Sequence, residues 1–203
     1  MTNVETLGDV DIVAAGPDEA PVAAGIIADA FASLDVSVWL VPDDGERRSV
    51  VERDMRIWTT HALKHGLISM TADETAVAVW FPTWEPLPAP DGYDEQLSGA
   101  CGPWAGRFRM LDDTFDLYHP HGEPHHHLAF LAVRPGRQGE GIGTALLHHH
   151  HEMYPDVAMY LEASSRESRA LYLRHGYLDR GRFTLPEDGP PLWSMWRPAT
   201  AMY

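Results

Sequence analysis

Gln138-Gly139-Glu140-Gly141-Ile142-Gly143-Thr144 is the stretch of this chain whose residue types and spacing point most directly to chemistry. It follows Leu128 to Val133, an apolar run with the length and content of a buried strand. Arg134-Pro135-Gly136 stops that run, because proline cannot donate to a sheet ladder and glycine permits the turn. The helix formers Ala145-Leu146-Leu147 come directly after. A strand, a glycine-rich turn and a helix in that order aim several backbone N–H groups at one point. The helix N-terminus adds about half a positive charge there, so the point suits a phosphate. Two common nucleotide patterns fail: no lysine follows the second glycine, and the glycines fall as G-x-G-x-G rather than G-x-G-x-x-G.

Residues able to move protons flank this stretch. His126 and His127 lead into the strand in the pKa range a general base needs, and strand alternation lets only one of them face a given side. Glu162 stands in the apolar run Val157 to Ala163, where a buried carboxylate is costly unless paired or functional. It reads either as a base or as the partner of an arginine such as Arg166 or Arg169. Tyr172, by periodicity alone, is a core tyrosine of an amphipathic helix. The runs His125 to His127 and His148 to His151 raise metal binding, but only His148 and His151 have helical ligand spacing, with no Cys, Asp or Glu in pattern. The expectation is a solvated helix flank and no metal. Cys101 is the single cysteine; it excludes an intrachain disulfide, fits a reducing compartment and has no base beside it.

The elements that must position these residues follow from pattern. Val10 to Ala14 alternates as a strand, and a helix opens at Gly16-Pro17-Asp18-Glu19 and runs to about Ala32. Ser33 to Gly45 is a loop or short irregular helix. Arg47 to His65 is a second helix, with Gly66 as its C-cap. Leu67 to Thr71 and Thr75 to Phe81 form a hairpin, and Pro82, Pro86, Pro88 and Pro90 mark an extended loop. Asp94 to Leu117 suggests helix through Phe108, Leu111 and Phe115. After the glycine turn come a helix to about Met153, the strand Val157 to Ala163, and a helix opened by a Ser164–Glu167 capping box and closed at Gly176. Tyr177 to Leu185 and Pro191 to Arg197 close the chain as strands. The order describes a mixed α/β sheet covered by helices.

Composition sets the bounds. A length of 203 residues fits one domain. A formal charge of −15 argues against nucleic acid and anionic membrane surfaces, and is compatible with a cationic substrate. Glu5, Asp9 and Asp11 stand where a signal peptide needs a basic start, and no apolar run reaches membrane-spanning length. A cytoplasmic protein is expected.

Read as Gln138-x-x-Gly141-x-Gly143 after a strand, the glycine stretch resembles the acyl-CoA pyrophosphate loop of the GNAT superfamily of N-acetyltransferases. The element order resembles the GNAT fold. Arg169 to Tyr177 looks like the family's A-x-x-x-Y-x-x-x-G-F/Y element in relaxed spacing. Within the superfamily, Thr75 to Trp80, Val133 to Gly143, Tyr160 to Ser164 and Leu192 to Met195 are most similar to the puromycin N-acetyltransferase-like actinobacterial branch. The resemblance implies a single domain over 1–203, with a mixed, mostly antiparallel central sheet of about seven strands flanked by helices. It implies acetyl transfer from acetyl-CoA, as cosubstrate, to the amine of a small molecule by direct attack in a ternary complex, without a metal.

The family's roles carry over residue by residue. Gln138, Gly139, Glu140, Gly141, Ile142, Gly143 and Thr144 would receive the pyrophosphate, and the backbone of Leu131, Ala132 and Val133 would pair with pantetheine. Ser168 stands where many members carry asparagine against the CoA chain, with a shorter reach. Tyr172 would protonate the departing thiolate, and Glu162 or His127 would take the amine's proton. Phe31, Trp39, Trp58, Trp80, Tyr118 and Trp193 are candidates to line the acceptor pocket. Three alternatives stay open: acetylation of a protein lysine or N-terminus in an open groove, a non-catalytic acyl-CoA-binding domain, and a metal-binding regulator. Homodimerisation is left open.

Overall fold

The computed structural model describes residues 10–200; Glu5 and Asp9, used in the signal-peptide reading, lie outside the described residues. Seven strands form one sheet: β1 (Ile12–Ala14), β2 (Leu67–Thr71), β3 (Ala76–Pro82), β4 (His125–Val133), β5 (Ala158–Ala163), β6 (Leu178–Thr184) and β7 (Pro191–Arg197). Their spatial order is β1-β2-β3-β4-β5-β7-β6. Among the described residues, only β4 and β5 pair in parallel. The expected mixed, mostly antiparallel sheet with flanking helices is borne out.

The helices are α1 (Ala20–Phe31), α2 (Asp35–Leu40), α3 (Asp44–His65), α4 (Tyr93–Cys101), α5 (Ala105–Tyr118), α6 (Ile142–Met153) and α7 (Arg166–Arg174). β3 is apolar at successive positions because both of its faces are covered. Val77, Val79 and Phe81 join a core with α1 and α3, whereas Ala76, Ala78 and Trp80 join one with α6 and α7. A third core lies among α2, α4, α5 and the β6–β7 pair. No helix among the described residues is long and apolar enough to cross a membrane.

Two features of β4 shape the centre of the sheet. Its parallel register with β5 ends at His127↔Tyr160, so the two strands part beyond that pair. Its register with β3 passes from Trp80↔Leu128 to Val79↔Phe130, which leaves Ala129 as an extra residue. Such a bulge reverses which side the following residues face. Ala132 accordingly joins the α1–α3 core, while Leu131 and Val133 pack on the α6 side, 3.9 and 3.7 Å from where a Gly143 Cβ would be.

Several local expectations need correction. The Asp94–Leu117 region is two helices joined by a 3-10 turn, not one. The capping box of α7 uses Ser165 and Ser168, not Ser164 and Glu167. Gly66 does follow α3, but in extended backbone; it is required because a Cβ there would lie 2.6 Å from the Trp80 carbonyl oxygen. The second histidine run is not a solvated flank, since His150 and His151 are buried where α6 packs on the sheet. His150 stacks on Trp80 with ring centroids 3.8 Å apart.

Candidate active site

The glycine stretch folds as its residue types require. Gly139 and Gly141 have φ of 83° and 82°, a region that side-chain-bearing residues rarely adopt. A Cβ at either would meet nothing within 4 Å, so conformation rather than crowding selects glycine and the loop's outer face is open. Gly141 is the N-cap of α6 and no side chain caps that end. The first amides of α6 therefore keep donors for an incoming acceptor. The Gln138 amide donates to the Val133 carbonyl at 3.2 Å, and Arg137 pairs with Glu140 at 2.9 Å, which fixes the turn. Thr144 meets His175 at 3.2 Å, and Ile142 is buried in the core.

Beside this loop, the backbone of Leu131, Ala132 and Val133 runs where β4 has left β5. The Ala132 side chain is buried on the α1–α3 side, so only its backbone is available. An uncapped helix N-terminus joined to an open strand edge fits a diphosphate carrying an amide-bearing arm. Ser168 is engaged locally: its hydroxyl accepts from the Ser165 amide at 3.1 Å as half of the capping box.

A cavity of about 620 Å³ lies between α3, α5, the loops at 83–87 and 119–124, and the strands β3, β4 and β5. His127 and Glu162 line it, with His127 Nε2 2.9 Å from Glu162 Oε2. The carboxylate is sealed, its side chain 4% exposed against 17% for His127. Burial opposes ionisation of Glu162, but the charge and hydrogen bond of His127, helped by Tyr160 and His119, hold it below the usual range. Of the arginines suggested as partners, Arg169 pairs instead with Asp179 at 2.6 Å. His126 points away: its Nδ1 meets His150 Nε2 at 2.9 Å. Alternation has separated the two neighbours.

His119, absent from the candidates that the sequence offers, also lines the cavity. Its ring lies 5.0 Å from that of His127, and burial, then His127, lowers its pKa to about 3. His119, His127 and Glu162 offer ligand atoms all within 4.8 Å of one another, a two-imidazole, one-carboxylate set able to take a divalent cation. The reading against metal had weighed the histidine runs alone. The signal was Tyr118-His119-Pro120-His121-Gly122 leading into His125, a third cluster beside the two runs.

Tyr172 lies on the other side of the sheet, in the core shared by β5, α6 and α7. It is 7% exposed, and burial raises its pKa, so the hydroxyl stays protonated. The expected acceptor aromatics are mostly elsewhere. Trp58 lines the cavity; Phe31, Trp39, Trp80, Tyr118 and Trp193 do not. Trp80 is fully buried against His150, Trp39 is in the third core, and Trp193 packs on the α6–α7 core. Tyr118 stacks on Phe183 at 4.2 Å, and Phe31 meets Phe130 edge-on at 6.3 Å. The aromatic walls are Trp58, Phe81, Trp84, Phe108, Phe115 and Phe130. Apolar content predicts burial without saying on which side of a sheet.

Residues 107–178, which include the glycine loop, His127, Glu162 and Tyr172, match the family model described as an acetyltransferase (GNAT) domain. Over that part the chain is similar to GNAT acetyltransferases. A crystal structure described as histone acetyltransferase HPA2 and related acetyltransferase, from Corynebacterium glutamicum, is similar to it with a TM-score of 0.69 and 26% identity. That match covers 95% of this chain and 97% of the other. The ribosomal-protein-S18-alanine N-acetyltransferase of Escherichia coli shares the GNAT fold at 16% identity and a TM-score of 0.57, over 95% of each chain. Arylalkylamine N-acetyltransferase 2 of Aedes aegypti shares it at 10% identity and 0.59, over 95% of this chain and 100% of its own.

Proposed function

We propose that this GNAT domain transfers the acetyl group of acetyl-CoA to the amine of a small molecule. The observation that carries this reading is the His127–Glu162 pair set in an aromatic-walled cavity of about 620 Å³, a volume within the range of small-molecule sites. A wall built from α3, α5 and two loops favours a small acceptor over a protein chain, which needs an open groove.

The chemistry needs a proton removed from the amine, whose pKa is near 10. With His127 Nε2 donating to Glu162, Nδ1 is the nitrogen placed to take that proton. The carboxylate then faces an imidazolium that it stabilises. When bound, acetyl-CoA supplies a thioester carbonyl for direct attack. Residues 138–144 would hold its diphosphate by backbone amides, Leu131 to Val133 would hold its arm, and Tyr172 would donate a hydrogen bond to the departing sulfur, with the second proton shed by the attacking nitrogen going to the thiolate. Similarity of the segments at 75–80, 133–143, 160–164 and 192–195 to the puromycin N-acetyltransferase-like branch supports an antibiotic-like amine.

The test is release of CoA thiol over an amine panel that includes puromycin, with Glu162→Gln alongside. Turnover of at least one small amine, lost in Glu162→Gln, is the expected result. Silence on every small amine with turnover of a peptide would move the acceptor to protein. Tight acetyl-CoA binding with no thiol release to any amine would leave a binding domain.

A further inference from the structure

Six acidic residues line the cavity, Asp54, Glu85, Asp112, Asp116, Glu123 and Glu162, and no Lys or Arg among the described residues does. Glu162 has His127 as its partner. The second Glu162 oxygen, Oε1, and the Oδ1 of Asp54 on α3 are both buried without a hydrogen-bond partner among the described residues, but Asp54, 3% exposed, has no ion-pair partner there either. Asp112, facing it from α5, accepts among the described residues only from the Tyr93 hydroxyl, at 2.6 Å. The basic residues nearest in sequence are committed elsewhere. Arg53 donates to the Ala100 carbonyl, Arg56 pairs with Glu52, and Arg109 pairs with Asp94.

A sealed carboxylate without a donor is expensive, and a folded chain tolerates it where a ligand supplies the partner. Burial, then the charge of Asp112, raises the pKa of Asp54 well above the usual range, and burial pushes Asp112 up to about 6. A cation bound between the two carboxyl groups would favour their charged forms and oppose both shifts. Trp58 stands one helical turn from Asp54 and lines the same cavity, so an aromatic face is available to a positive charge as well.

We propose that the α3–α5 wall, through Asp54 and Asp112, binds a second, non-reacting ammonium group of the acceptor. The substrates are then diamines: one amine reacts at His127–Glu162, and the other nitrogen is held at Asp54–Asp112, with an apolar or aromatic spacer along Phe108 and Phe115. This rests on the acetyl-transfer reading for its first amine; the second site stands on the unpartnered Asp54 oxygen.

Two measurements separate the inference from that reading. The first uses no turnover: a protonated tertiary dimethylammonium arylalkane, which keeps one N–H donor, and its neutral isopropyl isostere, neither giving a stable acetyl product, are titrated by quenching of tryptophan fluorescence and by calorimetry. The charged probe is expected to bind about tenfold to a hundredfold more tightly, the range of a charge-assisted contact. Asp54→Asn and Asp112→Asn should each erase most of that difference, with thermal unfolding checked to show that the variants fold. Equal affinity of the two probes for the native protein overturns the proposal. If Asp54→Asn does not fold, Asp112→Asn and the probe pair in the native protein decide alone. The second compares kcat/KM for a diamine and a monoamine of equal length. A preference for the diamine that falls toward one in Asp112→Asn supports the second site. A monoamine used as well as the diamine by the native enzyme removes it while leaving acetyl transfer intact.

Discussion

His126 and His127 are neighbours on β4 and meet opposite surroundings. His126 shares a hydrogen bond with His150, which is stacked on Trp80; both imidazoles are buried, at 2% and 1% exposure. Burial above all keeps them neutral, with pKa values lowered to about 4 and about 2. His127 instead meets a carboxylate and lines an open cavity. One imidazole joins two layers of the fold, and the other is placed to exchange a proton. Neither the residue type nor the run it belongs to separates them; partner and solvent access do.

The sharpest test of that contrast acts on the cavity side. Glu162→Gln is expected to lower kcat about a hundredfold to ten-thousandfold, as when a histidine base loses the carboxylate that fixes its tautomer and stabilises its imidazolium, with little change in thermal stability. A variant with native kcat would take the pair out of the chemistry. On the core side, His150→Ala removes the stack on Trp80 and strands His126. A loss of about 2–4 kcal/mol in unfolding free energy is expected, with kcat nearly unchanged. Collapse of kcat at full stability would instead mean that the two sides communicate through β4.

Acid should reveal the core side next. His126, His150 and His151 have folded pKa values of about 4, 2 and 3, below the unfolded 6.5. Below pH 6.5 the unfolded chain binds more protons, so their contribution is complete above that value and is lost as pH falls toward the folded values. The slope is at most about 1.4 kcal/mol per pH unit for each residue. Denaturant unfolding at pH 7, 6 and 5 measures it, and a flat stability would contradict the burial of these rings. Tyr172→Phe should cost about tenfold in kcat, as for one hydrogen bond to a developing charge. The smallest effect is expected from Gly141→Ala, where a left-handed residue costs about 1–2 kcal/mol. It should appear as a several-fold higher KM for acetyl-CoA at constant amine KM.

Much of the cofactor side was legible in the sequence because local rules govern it. Proline and glycine positions fixed the turn, and an apolar run followed by helix formers fixed the strand and helix around it. Alternation also predicted that only one of His126 and His127 would face the acceptor. The acceptor side was not legible, because it is assembled from α3, α5 and two loops far apart in sequence. Trp39 and Trp80, expected to line the acceptor pocket, are core instead, while Phe108 and Phe115 are its walls. The histidine run on α6 misled in the opposite direction: a polar name concealed buried rings, His150 partnered by His126 of β4 and His151 by Tyr177.

The extra residue at Ala129 makes β4 a strand whose length matters more than its composition. Before it, the strand's odd-numbered His127 faces the cavity; after it, odd-numbered Leu131 and Val133 carry the bed of α6. Substitutions at Ala129 should therefore be tolerated according to size. Removing one residue between His127 and Leu131 would turn the bed of the glycine loop toward the acceptor, so that a single lost codon would disable both halves of the reaction together.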